Sequence, residues 1–252
     1  MGRLDEKVSI VTGGGRGVGR GIALALAREG SAVAIPELDP ETARRTADEI
    51  RALGGRALAV PTDVRDRTQI EAAVRAIEEA FGRVDVLVNN AQLQRQQVSF
   101  EDTTDDDMEA VLGSGVLGTY RFMQACLPLL RLRGGKVINL ASAAGLVGYA
   151  GWTSYAVSKE GIRALTKVAA REWGPYGIQV NAICPLAETP GSREWSADHP
   201  ELARQMRETI PLGRLGDAEH DIGRAVVFLA SEDSSYVTGL TMMIDGGQTI
   251  LH

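Results

Sequence analysis

Three polar residues in the second half of the sequence have types and spacings suited to moving a proton. Tyr155 and Lys159, in the stretch SYAVSK, are four residues apart and would share one face of a helix. A phenol with a pKa of about 10 is a poor base at neutral pH, and a neighbouring ammonium group lowers that pKa. Ser142 follows the apolar run KVINLA, and its hydroxyl would hold a carbonyl or alcohol oxygen. Taken alone, such a pair is usually a packed ring beside a lysine stem, and its position after a dinucleotide-binding loop is what favours chemistry.

A glycine-rich segment near the N-terminus is suited to binding a dinucleotide. TGGGRGVG follows the apolar run VSIV, and Gly13, Gly17 and Gly19 would let the backbone turn tightly and approach a pyrophosphate. The N–H groups of the helix that follows would point at this anion. The other loop residues expected to bind the cofactor are Gly15, Arg16 and Val18. The spacing is not G-x-G-x-x-G, and the alternative is a loop without a ligand.

Acidic residues after the second and third predicted strands favour NAD over NADP. Glu37 stands where a carboxylate would bind the adenosine ribose, and it would repel a contacting 2′-phosphate by about 4 kcal/mol at a dielectric constant of 20. Arg16 favours NADP unless it pairs with Glu37, which is alternatively a solvated loop carboxylate. Asp63 would bond the adenine amino group, with Val64 alongside the ring, or would cap a helix.

Apolar runs that alternate with amphipathic segments predict how these residues are positioned. The predicted strands are residues 8–12, 32–35, 56–60, 84–89, 136–141, 178–183 and 241–245. Nearly continuous apolar strands separated by helices imply a parallel sheet covered on both faces, in one doubly wound α/β domain over 1–252. Ligands of such sheets bind beyond the carboxyl ends of the strands, where the residues named above lie.

Composition excludes several other classes of function. The 252 residues carry a net charge of −6 without a block of Lys or Arg, so nucleic acid and membrane partners are not expected. The two cysteines, Cys126 and Cys184, form no metal-binding motif, and no metal is expected. The N-terminus does not match a signal peptide and no apolar run has membrane length, so we expect a cytoplasmic protein.

The order of motifs resembles that of the short-chain dehydrogenase/reductase family. TGGGRGVG, NNA, the Ser–Tyr–Lys set, VNAICP and the terminal DGG follow the family's order over essentially the whole chain. The resemblance implies a Rossmann-type domain with a seven-stranded parallel sheet, a homotetramer, and hydride transfer between a nicotinamide and a carbonyl or alcohol carbon. It implies that Tyr155 is the acid/base, that Lys159 binds the nicotinamide ribose and tunes Tyr155, and that Ser142 orients the substrate. The further cofactor contacts that it implies are Asn89, Ala91, Pro185 and Leu186, and the Asn89 side chain is also suited to joining adjacent strands.

The chain departs from the family pattern at three positions. Gln92 and Leu186 each replace a glycine, and we expect Gln92 to contact the substrate or narrow the pocket. In VLGSGVLGTY, Gly115 takes the place of a catalytic asparagine at a helix break, where the resemblance implies that a main-chain carbonyl holds a proton-relay water. Because a carbonyl belongs to the backbone, we expect Gly115 to serve here and Gly115→Asn to change turnover by less than about tenfold. The alternative is an NAD-binding regulatory or scaffold protein with impaired catalysis.

Residues near Ser142 and after the sixth strand are expected to bind the substrate. The predicted lid covers about 186–215, and its apolar inner face would consist of Trp195, Leu202, Met206 and Ile210. The other pocket candidates are Gln92, Leu93, Gln94, Ala144, Leu146, Val147, Tyr149 and Trp152. This composition favours an apolar or aromatic secondary alcohol or ketone of modest size. His199 is expected at the surface, and Thr104 is expected to cap a helix.

Overall fold

Seven parallel strands form the central sheet, in the order β3-β2-β1-β4-β5-β6-β7. The computed structural model describes residues 2–93 and 98–250. The strands are β1 (Val8–Val11), β2 (Ala32–Glu37), β3 (Ala57–Pro61), β4 (Val86–Asn89), β5 (Gly135–Leu140), β6 (Ile178–Pro185) and β7 (Thr241–Ile244). From β1 the chain adds β2 and β3 on one side of the sheet and then β4 to β7 on the other. This change of side leaves a crevice at the carboxyl ends of β1 and β4.

Helices connect the strands and cover the sheet. They are α1 (Gly17–Arg28), α2 (Pro40–Ala52), α3 (Arg67–Phe81), α4 (Asp105–Ser114), α5 (Val116–Leu130), α6 (Ala143–Val147), α7 (Thr153–Trp173), α8 (Pro190–Asp198), α9 (Pro200–Glu208) and α10 (Arg224–Ala230). Two 3-10 turns (Gly174–Tyr176 and Glu232–Ser234) and a π-helical turn (Ala218–Gly223) complete the described elements. The predicted doubly wound fold is confirmed.

Two apolar clusters form the core, one on each face of the sheet. Alternate residues of β2 belong to different clusters, with Val33 and Ile35 on one face and Ala32 and Ala34 on the other. Helices α1, α2 and α10 bury their apolar faces in the first cluster, and α3, α5 and α7 bury theirs in the second. Because both faces are covered, the strands read as nearly continuous apolar runs.

A break at Gly115 separates α4 from α5. Gly115 has φ −87° and ψ −97°, well away from the helical ψ of about −42°. The N–H of Val116, which a continuous helix would direct to the carbonyl of Leu112, donates instead to Ser158 Oγ of α7 at 3.1 Å. The predicted break is therefore formed at the predicted residue. Thr104 caps α4 in a reciprocal capping box with Asp107, as expected.

Helices α8 and α9 make up most of the segment that was predicted to be a lid. Ile210 is buried, but Leu202 is 52% exposed and Ala203 is buried in its place. The expected apolar inner face is therefore formed only in part, with Met206 half-buried and Leu202 on the outer side of α9. His199 is exposed, as predicted, and stacks on Trp195 with 5.3 Å between ring centroids. No helix within the described ranges is long and apolar enough to cross a membrane.

Candidate active site

A cavity of about 440 Å³ opens at the carboxyl ends of the central strands. The predicted residues that line it are Gly13, Arg16, Val18, Gly19, Glu37, Asp63, Val64, Ala91, Gln92, Leu93, Ser142, Tyr155, Lys159 and Pro185. Residues following six different strands thus meet in one crevice, as expected for a parallel sheet. A larger cavity of about 710 Å³ lies beside α1 and the π-helical turn, is lined mainly by charged residues, and contains none of Ser142, Tyr155 and Lys159.

The glycine loop after β1 is held by a side chain that the sequence analysis did not select. Asn90 Nδ2 donates to the carbonyls of Thr12 at 2.9 Å and Gly13 at 3.0 Å. Gly13 has a φ of +65°, and a Cβ on Gly19 would overlap the Gly13 carbonyl. The loop conformation is therefore available only to glycine at these positions. The signal for Asn90 was the second asparagine of NNA, directly after β4.

Gly15 and Gly17 are placed differently from the prediction. The Gly15 N–H donates to Glu37 Oε2 at 3.1 Å, and a Cβ on Gly15 would lie 2.6 Å from Thr42 Oγ1. The close packing of α2 explains why position 15 needs a glycine. Gly15 is not among the residues that line the 440 Å³ cavity. Gly17 lines the larger, charged cavity instead.

Glu37 lies at one end of the cavity with its carboxylate already partly satisfied. Its Oε1 accepts from the N–H of Leu38 at 2.9 Å, and its Oε2 accepts from Gly15. Among the described residues, Arg16 forms no ion pair with Glu37, so the predicted alternative pairing is not present. The Glu37 carboxylate therefore stands beside the cavity without an arginine partner among the described ion pairs, where it would face a bound ribose.

Asp63 also reaches this end of the cavity, but an arginine binds its carboxylate. Arg65 Nε donates to Asp63 Oδ1 at 3.0 Å, and an Arg65 Nη2 to Oδ2 distance of 2.6 Å completes a bidentate pair. This guanidinium lowers the pKa of Asp63. Arg65 lines the cavity too and was missed by the sequence analysis, because an arginine two residues from an acid is usually a surface residue.

Tyr155 and Ser142 meet at the other end of the cavity. Ser142 begins α6, accepts from the N–H of Ala144 at 3.1 Å, and is hydrogen-bonded to the Tyr155 phenol. Burial raises the pKa of Tyr155 to about 12, and the bond to Ser142 only partly opposes this change. The phenol is therefore neutral at physiological pH and poised to donate a proton.

Lys159 is buried beside the tyrosine ring. Its Nζ donates to the carbonyl of Leu140 at 2.6 Å and lies 5.4 Å from the centroid of the Tyr155 ring. Burial lowers the pKa of this amine to about 8. The net pKa of Tyr155 is therefore raised by burial where the sequence predicted a lowered value, and the Lys159 ammonium is held by the β5 carbonyl.

Gln92 lines the cavity, but its amide is bound to the protein. Nε2 donates to the carbonyls of Leu93 at 2.9 Å and Val111 at 3.0 Å, and Oε1 accepts from Ser158 Oγ at 3.3 Å. Its expected polar contact with the substrate is thus replaced by bonds within the chain. A Cβ on Gly115 would overlap both Gln92 and Ser158, so Gly115→Asn requires these side chains to move, and we expect a larger effect than the sequence predicted. Gly115 itself is not part of the described cavity lining.

Asn89 and Leu186 lie outside this cavity. The Asn89 side chain is buried and donates to Asn139 Oδ1 at 2.8 Å, across the paired strands β4 and β5. The strand-joining role is therefore confirmed, and Asn90, not Asn89, lines the cavity. Leu186 accepts from the N–H of Gly216 at 3.1 Å and lines a separate cavity of about 400 Å³. Backbone pairing holds it there, since its own N–H donates to Ile244.

The predicted substrate residues surround the Tyr155 end at different depths. Trp152 packs edge-on against the Tyr155 ring, with centroids 5.3 Å apart, and Ala144 is buried next to Ser142. Val147 and Tyr149 are exposed, and Trp195 stacks on His199 instead of lining the cavity. Gln94 lies outside the described residues.

The cavity fits an extended dinucleotide. A glycine loop without Cβ atoms and the start of α1 form one wall, and a carboxylate stands at the end where a ribose would lie. The neutral phenol, the serine hydroxyl and the buried amine stand at the opposite end. Such a fold and site define an oxidoreductase that binds a nicotinamide dinucleotide.

Comparisons with known proteins agree with this class. A family model described as "Enoyl-(Acyl carrier protein) reductase" matches residues 13–249. The 12alpha-hydroxysteroid dehydrogenase of a Clostridium species is 39% identical, with 98% of each chain covered. The 3-oxoacyl-(acyl-carrier-protein) reductase of Thermotoga maritima is 36% identical, with 98% of this chain and 100% of that protein covered.

Solved structures give the same result. The crystal structure of levodione reductase superposes with a TM-score of 0.91 at 33% identity, covering 97% of this chain and 98% of the other. NAD⁺-bound xylitol dehydrogenase superposes with a TM-score of 0.92 at 32% identity, covering 97% and 99%. The chain belongs to the short-chain dehydrogenase/reductase family.

Proposed function

We propose that the protein is an NAD-dependent alcohol dehydrogenase or ketoreductase that acts on secondary alcohols and ketones. The observation that carries the proposal is one cavity with Ser142, Tyr155 and Lys159 at one end and Glu37 at the other. Relatives named as a hydroxysteroid dehydrogenase and a xylitol dehydrogenase, enzymes of alcohol substrates by their names, support it.

Tyr155 is the proton donor to a ketone and the proton acceptor from an alcohol. Its buried phenol is neutral at pH 7, so ketone reduction begins with the proton already on the phenolic oxygen. Ser142 Oγ holds the same substrate oxygen and fixes its distance from the phenol. The nicotinamide, when bound, supplies or accepts the hydride at the substrate carbon.

Lys159 provides a positive charge at the reacting end. Its ammonium, fixed on the Leu140 carbonyl, stabilises negative charge that develops on the phenolic oxygen when the proton leaves. Trp152 packs on the phenol ring and limits water there. The aromatic and apolar surroundings support an apolar or aromatic substrate of modest size, with segment 186–215 as its lid.

NAD is the proposed cofactor because of Glu37. A 2′-phosphate in contact with this carboxylate would be repelled. Of the two arginines in the described cavity lining, Arg16 and Arg65, the second is paired with Asp63. The contacts proposed for the cofactor beyond these are Gly13, Val18, Gly19, Val64, Asn90, Ala91 and Pro185.

We also propose a homotetramer in the cytoplasm. Leu117 and Tyr120 on α5, and Val157 and Val168 on α7, are 40–55% exposed although both helices also pack on the core. Apolar side chains on the outer surface of two helices suit burial against further copies. Light scattering with size-exclusion chromatography measures the mass directly, and a monomer would contradict this assembly.

A screen of secondary alcohols and ketones tests the proposed reaction. Formation or consumption of NADH by absorbance is expected with apolar or aromatic members, and Tyr155→Phe is expected to abolish it while leaving NADH binding intact. Tight NADH binding without turnover of any pair would favour the catalytically impaired alternative. Full activity of Tyr155→Phe would refute the mechanism.

A further inference from the structure

Gln92 holds together three parts of the site that the sequence brings from distant positions. Its Nε2 donates to the carbonyl of Val111, in the last turn of α4, and its Oε1 accepts from Ser158 Oγ on α7. Ser158 in turn accepts from the N–H of Val116, the first residue of α5. One amide therefore connects the loop after β4 to both sides of the helix break.

The helix break leaves polar backbone groups that need partners. The Val116 N–H has lost its partner within the helix, and burial without a partner would cost about 1–3 kcal/mol. Ser158, which is fully buried, supplies that partner, and the Oε1 of Gln92 fixes the direction of the Ser158 hydroxyl. An apolar side chain at position 92 would leave Ser158 free to turn away.

Gln92 also occupies the space that a side chain at position 115 would need. Of the three atoms nearest a Cβ on Gly115, two belong to Gln92 and one to Ser158. The glycine at position 115 and the glutamine at position 92 therefore depend on each other. This explains two of the three departures from the family pattern as one structural unit.

The connection reaches the proposed chemistry through α7. Ser158 directly precedes Lys159, whose Nζ is held on the Leu140 carbonyl at the reacting end of the cavity. A shift of Ser158 would move the backbone that carries this amine. Leu93, next to Gln92, is fixed as well, since its N–H donates to Ser114 Oγ at 3.0 Å.

We propose that Gln92, in the loop after β4, is a positioning residue. It takes the place of a polar side chain at the helix break, and it holds Ser158 and thereby Lys159 in position. Only the expected effect of Gln92 on kcat rests on the proposed function. The hydrogen-bond network itself is measurable without turnover.

The test uses Gln92→Met, which keeps the length of the side chain and removes its hydrogen bonds. Gln124→Met is the matched control, because Gln124 is exposed on α5 and its one hydrogen bond within the described residues is accepted from Arg67. Hydrogen exchange of the peptide 111–120 is expected to speed up at Val116 in Gln92→Met and to stay unchanged in the control. Unchanged exchange in Gln92→Met would overturn the proposal, whether or not a substrate has been found.

Kinetic measurements distinguish a Gln92 that positions Lys159 for catalysis from a Gln92 that only stabilises the helix break. In Gln92→Met we expect kcat to fall by about tenfold to a hundredfold, with an altered pH profile and with NADH affinity changed by less than about twofold. Faster exchange with an unchanged kcat and pH profile would reduce Gln92 to a structural brace and overturn the proposal.

A reciprocal exchange tests the mutual dependence. Gly115→Asn alone is expected to lose most activity and stability, because the new side chain overlaps Gln92. Combining it with Gln92→Gly removes two of the three overlapping atoms, so the double variant should exceed Gly115→Asn in melting temperature and, where a substrate is known, by at least about tenfold in kcat. A double variant no better than Gly115→Asn on either measure would contradict the coupling.

Discussion

Replacing Glu37 with glutamine tests the electrostatic basis of cofactor choice. The substitution keeps the shape of the side chain and an oxygen that can accept from Leu38, and it removes the negative charge. For unit charges about 4 Å apart at an effective dielectric constant of 20, the lost repulsion is about 4 kcal/mol. Since about 1.4 kcal/mol corresponds to a factor of ten, affinity for NADPH should rise by up to about a thousandfold, and less at physiological salt.

The same change should weaken NADH binding only moderately. A charge-assisted bond from the ribose becomes a neutral one, and the bond from the Gly15 N–H is lost because the amide nitrogen that replaces Oε2 cannot accept it, so a loss of about tenfold is expected. Titrations that follow NADH and NADPH fluorescence measure both affinities and require no substrate.

Glu41→Gln is the matched control for the Glu37 experiment. Glu41 carries the same charge in the first turn of α2, and it is exposed and outside the cavity lining. Its replacement should leave the ratio of the two affinities within about twofold. A parent protein that prefers NADPH, or a Glu37→Gln variant with an unchanged ratio, would refute the assignment of Glu37.

Three further predictions concern protonation and stability. Because the pKa of Tyr155 is raised to about 12, the rate of alcohol oxidation should rise with pH from 6 to 9, while the rate of ketone reduction stays level to about pH 8. Initial rates in both directions measure this, and an oxidation rate that reaches a plateau below pH 8 would contradict it. Burial lowers the pKa of Lys159 from 10.5 to about 8, so burying the charged amine destabilises the fold below pH 8, and this destabilisation vanishes as the pH rises towards 10.5. Between pH 7 and 10 the unfolding free energy of the parent should therefore rise by up to about 3 kcal/mol relative to that of Lys159→Met. Denaturant titration measures both, and a difference that does not change with pH would refute the buried charge. Asp85 is almost fully buried and accepts hydrogen bonds from the Val8 N–H at 2.9 Å and from Arg83 Nε at 2.8 Å. Asp85→Ala should therefore lower the unfolding free energy by about 3 kcal/mol, as urea titration at pH 7 will measure. A loss under about 1 kcal/mol would show that the Asp85–Arg83 pair contributes little to stability.

Local patterns predicted the fold well because they depend on short-range physics. Continuous apolar runs between helices are sufficient to indicate a covered parallel sheet, and the strand ends differ from the prediction by at most two residues. The placement of Glu37, Tyr155 and Lys159 in one cavity followed from the rule that strand ends converge.

Side-chain partners between distant segments could not be predicted in this way. Gln92 was expected to face the substrate, but Val111 and Ser158 offer it bonds that depend on how α4 and α7 pack. Arg65 binds Asp63. Asn90, and not Asn89, braces the glycine loop, because successive side chains alternate in direction along β4 and that of Asn89 lies against Asn139 of β5. These outcomes depend on tertiary contacts, for which neither spacing nor composition carries information.

The overlap between Gln92 and any side chain at position 115 constrains the order of substitutions that can lead to this sequence. A chain with a Cβ at position 115 has no room for Gln92 in its present rotamer. We therefore expect loss of the side chain at 115 to precede the glutamine or to accompany it. For engineering of this protein, we expect a library that varies positions 92, 115 and 158 together to retain more folded variants than a library that varies position 115 alone.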